Sequence, residues 1–371
     1  MISRNQKLLF SFLRKNAFLI ELAGITFGVA IVLHQPIGKF PSFIDWKTII
    51  TLSGLLIITT GIKESGFFYL LAYRISCRIN SERLLASFLV FISAILSMFL
   101  TNDIALFIIV PLTLSLQEIL NSDYSKMIVF ETIAVNVGSS LTPIGNPQNI
   151  FLWHKWGISF FTFVKEMKPF VLLLSAWLLI FTFLAFSSKK IKPNHTRHLP
   201  INRKLFLFSS ILLVTFVFSV ELNIEKYFLT IVIISFLIFY RKIILKTDWK
   251  ILLFFILIFI DIHILYQLNK SHHFFKMVFN LDNAKTFFLS GAFLSQIISN
   301  VPASILLSHY SSHYKIIAYS VNVGGNGLLT GSFANIIALN LMEKKSKYFV
   351  YHIYSIPFFI VTLIFTWSFL I

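Results

Sequence analysis

Apolar runs free of charge recur along this chain, separated by short basic clusters. Residues 84–102, 132–154, 169–188, 316–342 and 348–371 contain no Asp, Glu, Lys or Arg. A helix needs roughly 20 apolar residues to cross a bilayer, and five such windows cannot all be core helices of one soluble domain. The pattern predicts spanning helices at about 17–34, 47–72, 127–153, 158–187, 205–221, 226–240, 250–268, 315–342 and 348–370. Two further regions, 83–119 and 285–312, read as paired apolar arms around a polar centre: Thr101-Asn102-Asp103 and Ser299-Asn300-Val301-Pro302. Pro302 lacks an amide donor and disfavours a helical Val301. The second arms, 104–118 and 303–312, are short, so both regions are predicted as re-entrant hairpins with tips near the midplane. Non-helical backbone is tolerated there only when buried in protein or lining a wet cavity.

The predicted fold is thus an all-α polytopic membrane protein of about nine transmembrane helices, two re-entrant hairpins and two broken helices. The broken helices are an internal repeat. VNVGSSLTPIGNPQNIF (135–151) and VNVGGNGLLTGSFANII (321–337) share their opening and their closing Asn-Ile, and each follows one of the hairpins. Duplicated helix breaks in apolar chains build one transport site from two half-sites. The predicted organisation is a first repeat over 1–186 (hairpin 83–119, broken helix 127–153), a basic linker over 187–204 with Pro193 and Pro200, and a second repeat over 205–371 (hairpin 285–312, broken helix 315–342).

Composition agrees: 57% of residues are hydrophobic and 13% charged, against about 25% charged in soluble domains, and the mean hydropathy is +0.81. A net charge of +17 raises a nucleic-acid reading, but its distribution is topological. Threading places 21 Lys and Arg on the side of the N-terminal cluster Arg4, Lys7, Arg14 and Lys15, and 10 on the other, with Lys63 inside a span. By the positive-inside rule the N-terminus is expected in the cytoplasm and the C-terminus outside the cytoplasmic (inner) membrane. The basic loops then meet anionic lipid, and no nucleic-acid partner is expected. The same threading inverts the two hairpins, the first entering from the cytoplasm and the second from outside. The apolar run from Ala17 reads as a retained helix rather than a cleaved signal, and Cys77, the single cysteine, allows no internal disulfide.

The repeats carry the candidate chemistry. Gly138, Pro143, Gly145 and Pro147 interrupt the first broken helix. Carbonyls freed at a break suit a small cation, and exposed amide N–H groups suit an anion. Asn136, Ser139, Thr142, Asn146 and Asn149 add neutral donors and acceptors, and the second copy supplies Asn322, Gly324, Asn326, Gly331, Ser332 and Asn335. Asp103 is the lone charge between Leu84 and Gln117. An acid deep in a membrane is by default functional, so it carries a proton or ligates sodium; the plainer reading is a cap on the hairpin's second arm, and the two are compatible. Lys63 and Glu64 are adjacent and should point about 100° apart on a helix. Asp261 and His263 occupy a comparable place in the second half, pairing across the scaffold or lying near an interface. Glu131 faces either the site or the cytoplasm.

Hairpin tips of this kind, each followed by a broken helix with Gly and Pro, resemble the ion-transporter superfamily of carboxylate symporters, citrate transporters, arsenite permeases and sodium–proton antiporters. Gly145-Asn146-Pro147-Gln148-Asn149 and Gly61-Ile62-Lys63-Glu64-Ser65-Gly66 resemble segments of the arsenite-permease-like branch. The resemblance implies two ion half-sites, Thr101 and Asn102 with 138–145 and Ser299 and Asn300 with 324–331, with possible sodium at Asn102, Asp103 and Asn300. It also implies a substrate between the tips and a moving transport domain on a homodimeric scaffold. Where the carboxylate symporters carry Ser-Asn-Thr at both tips, this chain has Asp103 and Val301 in third place. The expected function is a secondary active permease for a small inorganic or organic anion, coupled to proton or sodium by an alternating-access, elevator-like mechanism. The alternative is a sodium–proton antiporter using Asp103. No cofactor beyond the coupling ion is expected. An enzyme is not expected either, because zinc-site, nucleophile-elbow and P-loop motifs are absent.

Overall fold

The computed structural model describes residues 22–28, 30–31, 36–76, 78–120, 123–191, 201–267, 283–342 and 347–371. The N-terminal basic cluster, Cys77 and residues 192–200 of the 187–204 linker lie outside them. The described chain is helical, with one isolated bridge between Ser81 and Lys190. Six of its helices are long and apolar enough to cross a bilayer, or seven if the bent pair Ile37–Phe43 and Trp46–Glu64 counts as one span. Exposed apolar side chains such as Leu184 (77%), Ile238 (69%) and Phe369 (72%) cover their outer faces. That surface would be costly in water and is matched to lipid tails. The protein is a polytopic membrane protein.

The region expected as one span over 47–72 is two helices, α1 (Trp46–Glu64) and α2 (Phe67–Ser76). Gly66 stands between them at φ 71°, a left-handed conformation that glycine adopts without steric cost. Lys63 and Glu64, in the last turn of α1, do approach each other, to 3.8 Å, and Glu64 also pairs with Lys246.

The first hairpin is α3 (Glu82–Phe99) and α4 (Asn102–Leu120), parted by an extended Leu100 and by Thr101. The expectation of a short second arm fails here: α4 has 19 residues and keeps Pro111 inside it. The broken helix follows as α5 (Ser125–Ser139) and α6 (Pro147–Trp156) around 140–146. Pro147 does not break α6 but opens it, at a position whose missing N–H would be unpaired anyway. Next come α7 (Phe160–Ala185), α8 (Arg203–Glu221), α9 (Glu225–Lys246) and α10 (Lys250–Gln267). α9 outruns the expected 226–240, bending at Tyr240 (φ −146°, ψ 49°) and carrying Arg241, Lys242 and Lys246 on its last turns.

The second hairpin is α11 (Ala284–Ile298) and α12 (Asn300–Ser308). At nine residues α12 is only about 13 Å long, short as expected. The break is not made by Pro302, which sits within the first turn of α12 with Val301 helical beside it. It is made by Ser299, at φ 73° and ψ 156°, a region almost reserved for glycine and costing about 1–3 kcal/mol. The second broken helix is α13 (Tyr314–Gly324), a 3-10 turn over Leu329–Gly331 and α14 (Phe333–Leu341); α15 (Lys347–Phe369) follows.

The two most extensive helix packings are α3 on α5 and α11 on α13. Both depend on a glycine: a methyl on Gly138 would stand 2.1 Å from the Ala94 carbonyl oxygen, and one on Gly324 would stand 2.7 Å from that of Ala292. Each hairpin's first arm thus lies against the broken helix that follows it. The second pieces cross over, α12 packing on α6 and α14 on α4.

Candidate functional site

Each break is held first by its own hairpin. The Asn102 backbone N–H donates to the Gly145 carbonyl at 2.9 Å, and the Thr142 hydroxyl donates to the Met98 carbonyl at 2.5 Å. In the second half the Thr330 hydroxyl donates to the Gln296 carbonyl at 2.6 Å, and the Asn300 side-chain amide lies against Gly325. Folding back is tight. A methyl on Gly145 would meet the Ser139 carbonyl oxygen at 2.3 Å, and one on Gly331 would meet that of Gly324 at 2.5 Å.

Asparagines then join the two breaks. Asn136 Nδ2 donates to Asn335 Oδ1 at 2.8 Å and to the Gly325 carbonyl at 3.1 Å. Asn322 Nδ2 donates to Asn149 Oδ1 at 2.9 Å and to the Ala318 carbonyl at 2.8 Å. The asparagine that opens each copy therefore pairs with the one that closes the other. Asn146 and Gln148 both donate to Asn322 Oδ1, at 3.1 and 3.3 Å, and Asn146 also donates to the Ser139 hydroxyl. Asn149 Nδ2 binds the carbonyls of Ser139, Ser140 and Thr142, tying down the carbonyl end of α5. Asn335 Nδ2 does the same for Gly325 and Leu328, Asn326 Nδ2 reaches the Asn322 carbonyl, and the Ser332 hydroxyl reaches Asn136 Oδ1 at 3.5 Å.

Every predicted site residue is described, and all are buried except Ser299, which is half-buried. Gly138 and Gly324 are packing glycines against the hairpins rather than lining. Asp261 and His263 lie away from the breaks: Asp261 neighbours Thr26, and the His263 ring stacks on Phe43 at 4.2 Å. The sequence reading missed Gln296. Its Nε2 donates to the Gly324 and Asn326 carbonyls, and its Oε1 accepts from the Leu328 N–H. The available signal was an amide one turn before Ser299-Asn300, near the end of a mostly apolar arm.

The halves differ electrostatically. In the first, Asn146 caps α6 by accepting the Asn149 N–H at 2.9 Å, and Asp103 stands in the first turn of α4. Asp103 is 5% exposed and its Oδ2 has no hydrogen-bond partner among the described residues. In the second half, α12 and α14 begin without a side-chain cap, Val301 stands where the first half has Asp103, and Asn326 Oδ1 is also unpartnered.

Two interlocked helix breaks inside an apolar helical shell define a membrane transporter rather than an enzyme. The chain belongs to the citrate transporter family, whose profile matches residues 8–315. It is 40% identical over 336 residues to the inner membrane protein YbiR of Escherichia coli, covering 90% of each chain. It is 36% identical over 337 residues to an uncharacterized transporter of Methanocaldococcus jannaschii, covering 88% of this chain and 90% of that one. The P protein of Homo sapiens is 31% identical over 159 residues, 41% of this chain and 19% of that protein.

Proposed function

We propose that the chain is a secondary active transporter that moves a small anion across the cytoplasmic membrane, driven by proton or sodium. The observation that carries this reading is the unequal pair of half-sites. Asp103, whose Oδ2 has no hydrogen-bond partner and which makes no salt bridge among the described residues, gives the first half a place for a proton or sodium ion, with Asn102 beside it. The uncapped starts of α12 and α14, with Ser299, Asn300 and Ser332, offer the second half's N–H groups to an anion. The family's description, citrate transporter, fits a carboxylate-sized anion. A thermal-shift screen of the purified protein against carboxylates and inorganic oxyanions, with and without sodium at two pH values, tests it. An anion should stabilise the protein more when sodium or acid is present. If no anion stabilises it under any of these conditions, the reading fails.

The unpartnered carboxylate of Asp103 also supports a second reading, a sodium–proton antiporter, in which sodium alone stabilises the protein and acid opposes it. Under either reading the halves are inverted repeats, with hairpins entering from opposite sides and moving together in an elevator-like step. In a Cys77→Ser background, Asn121→Cys and Ser312→Cys should react with an impermeant maleimide from opposite sides of the membrane. Labelling of both from one side would end the inverted arrangement.

A further inference from the structure

A second acid lies buried in the first half. Glu131, on α5, is 0% exposed, and its Oε1 accepts the Thr113 hydroxyl of α4. Its Oε2 has no hydrogen-bond partner among the described residues. Thr113 lies ten residues after Asp103, about 15 Å along α4. Glu131 itself is six residues into α5, about 9 Å from its start. It therefore sits part-way between the connection leading into α5 and the hairpin tip. The offset that aligns the repeats places Ile317 at the equivalent point of α13, so this acid, like Asp103, belongs to the first half only.

Several charged groups on neighbouring elements are committed elsewhere. Lys126, at the start of α5, donates to the Ala185 carbonyl. On α3, Glu82 accepts from Ser187, and Arg83 donates to the Phe186 carbonyl. Glu166 of α7 pairs with Lys315, and Lys347 of α15 donates to the Leu339 and Met342 carbonyls. On α15, Tyr354 packs on Phe130, and the Tyr351 hydroxyl is buried and unpartnered. An uncompensated carboxylate in such a place costs several kcal/mol, whereas a neutral acid fits: its C=O accepts from Thr113 and its O–H is left to donate to water.

We propose that Glu131 is a second proton-binding site of the first half, taking up and releasing a proton as the Asp103 site loads and empties. On release the Glu131 O–H bond breaks, the proton passes to solvent, and the carboxylate left behind keeps the Thr113 hydroxyl as its donor. The proposal rests on the coupling role of Asp103, so its test needs no transported substrate. Infrared difference spectra of the purified full-length protein in nanodiscs, with the proton as the only ligand, should show a protonated-carboxyl band that titrates with pH. The band should vanish in Glu131→Gln and persist in Asp103→Asn. Thr113→Val should keep the band but raise its frequency, because the C=O loses a hydrogen bond; this variant also serves if Glu131→Gln does not fold. A Glu131 band that never titrates, no band sensitive to either variant, or a band indifferent to Thr113→Val overturns the proposal. In proteoliposomes carrying the anion found by thermal shift, Glu131→Gln should slow pH-driven uptake about tenfold, the size of an ordinary coupling free energy, while sparing exchange at equal pH. Equal loss of both would mark a structural acid instead.

Discussion

Asp103→Asn is expected to abolish ion-driven uptake while leaving the fold intact. Asp103 is the second residue of α4, so asparagine forfeits only a favourable first-turn charge of about 0.3–1 kcal/mol; the helix start survives, and Asn102 still donates its N–H to the Gly145 carbonyl. The substitution removes the one group at the tips that can change charge. Val301 in the matched position of the second hairpin offers no substitute. Reconstituted protein should therefore accumulate the anion at background level under a sodium or pH gradient, with a melting temperature close to that of the unsubstituted protein. If the pH and sodium dependence of uptake is unchanged, Asp103 has no part in coupling and serves α4 as a cap alone.

The second large effect falls on stability. Asn322 accepts from Asn146 and Gln148 and donates to Asn149 and the Ala318 carbonyl, so Asn322→Ala strands several buried groups at once. An unsatisfied buried polar group costs about 1–3 kcal/mol, while hydrogen bonds between membrane helices average nearer 0.6 kcal/mol. Together these put the loss at about 3 kcal/mol. Asn326→Ala is the internal comparison: Asn326 Nδ2 makes a single bond at 3.3 Å and its Oδ1 makes none, so that loss is about 1 kcal/mol or less. Reversible unfolding in detergent measures both. Equal losses would mean that the asparagines fill space without joining the halves.

Much of this arrangement was readable because helix breakers are conspicuous in an apolar chain. The hairpin tips and both interruptions announce themselves through Asn, Gly and Pro at depths where lipid permits no free backbone. The misreadings came from residues whose effect depends on position. Pro147 and Pro302 look like breakers, yet each sits in a helix's first turn, where its missing N–H costs nothing. The actual break at Ser299 needs a backbone conformation that no serine announces. One glycine, Gly66, was enough to part α1 from α2. The crossed asparagine pairs and the Thr113–Glu131 bond were out of reach, since side-chain partners across helices follow from rotation and depth rather than from spacing.

The crossed pairs also have a symmetry. Asn136 meets Asn335 and Asn149 meets Asn322: each asparagine touches the counterpart of the other asparagine in its own segment. That reciprocity is what a twofold, isologous interface between identical chains displays. Between identical chains a substitution on one side of such an interface is copied on the other; within one polypeptide each side varies without altering its counterpart. Asp103 opposite Val301 and Glu131 opposite Ile317 are what such a release allows: a symmetric clasp kept, and its two occupants made different.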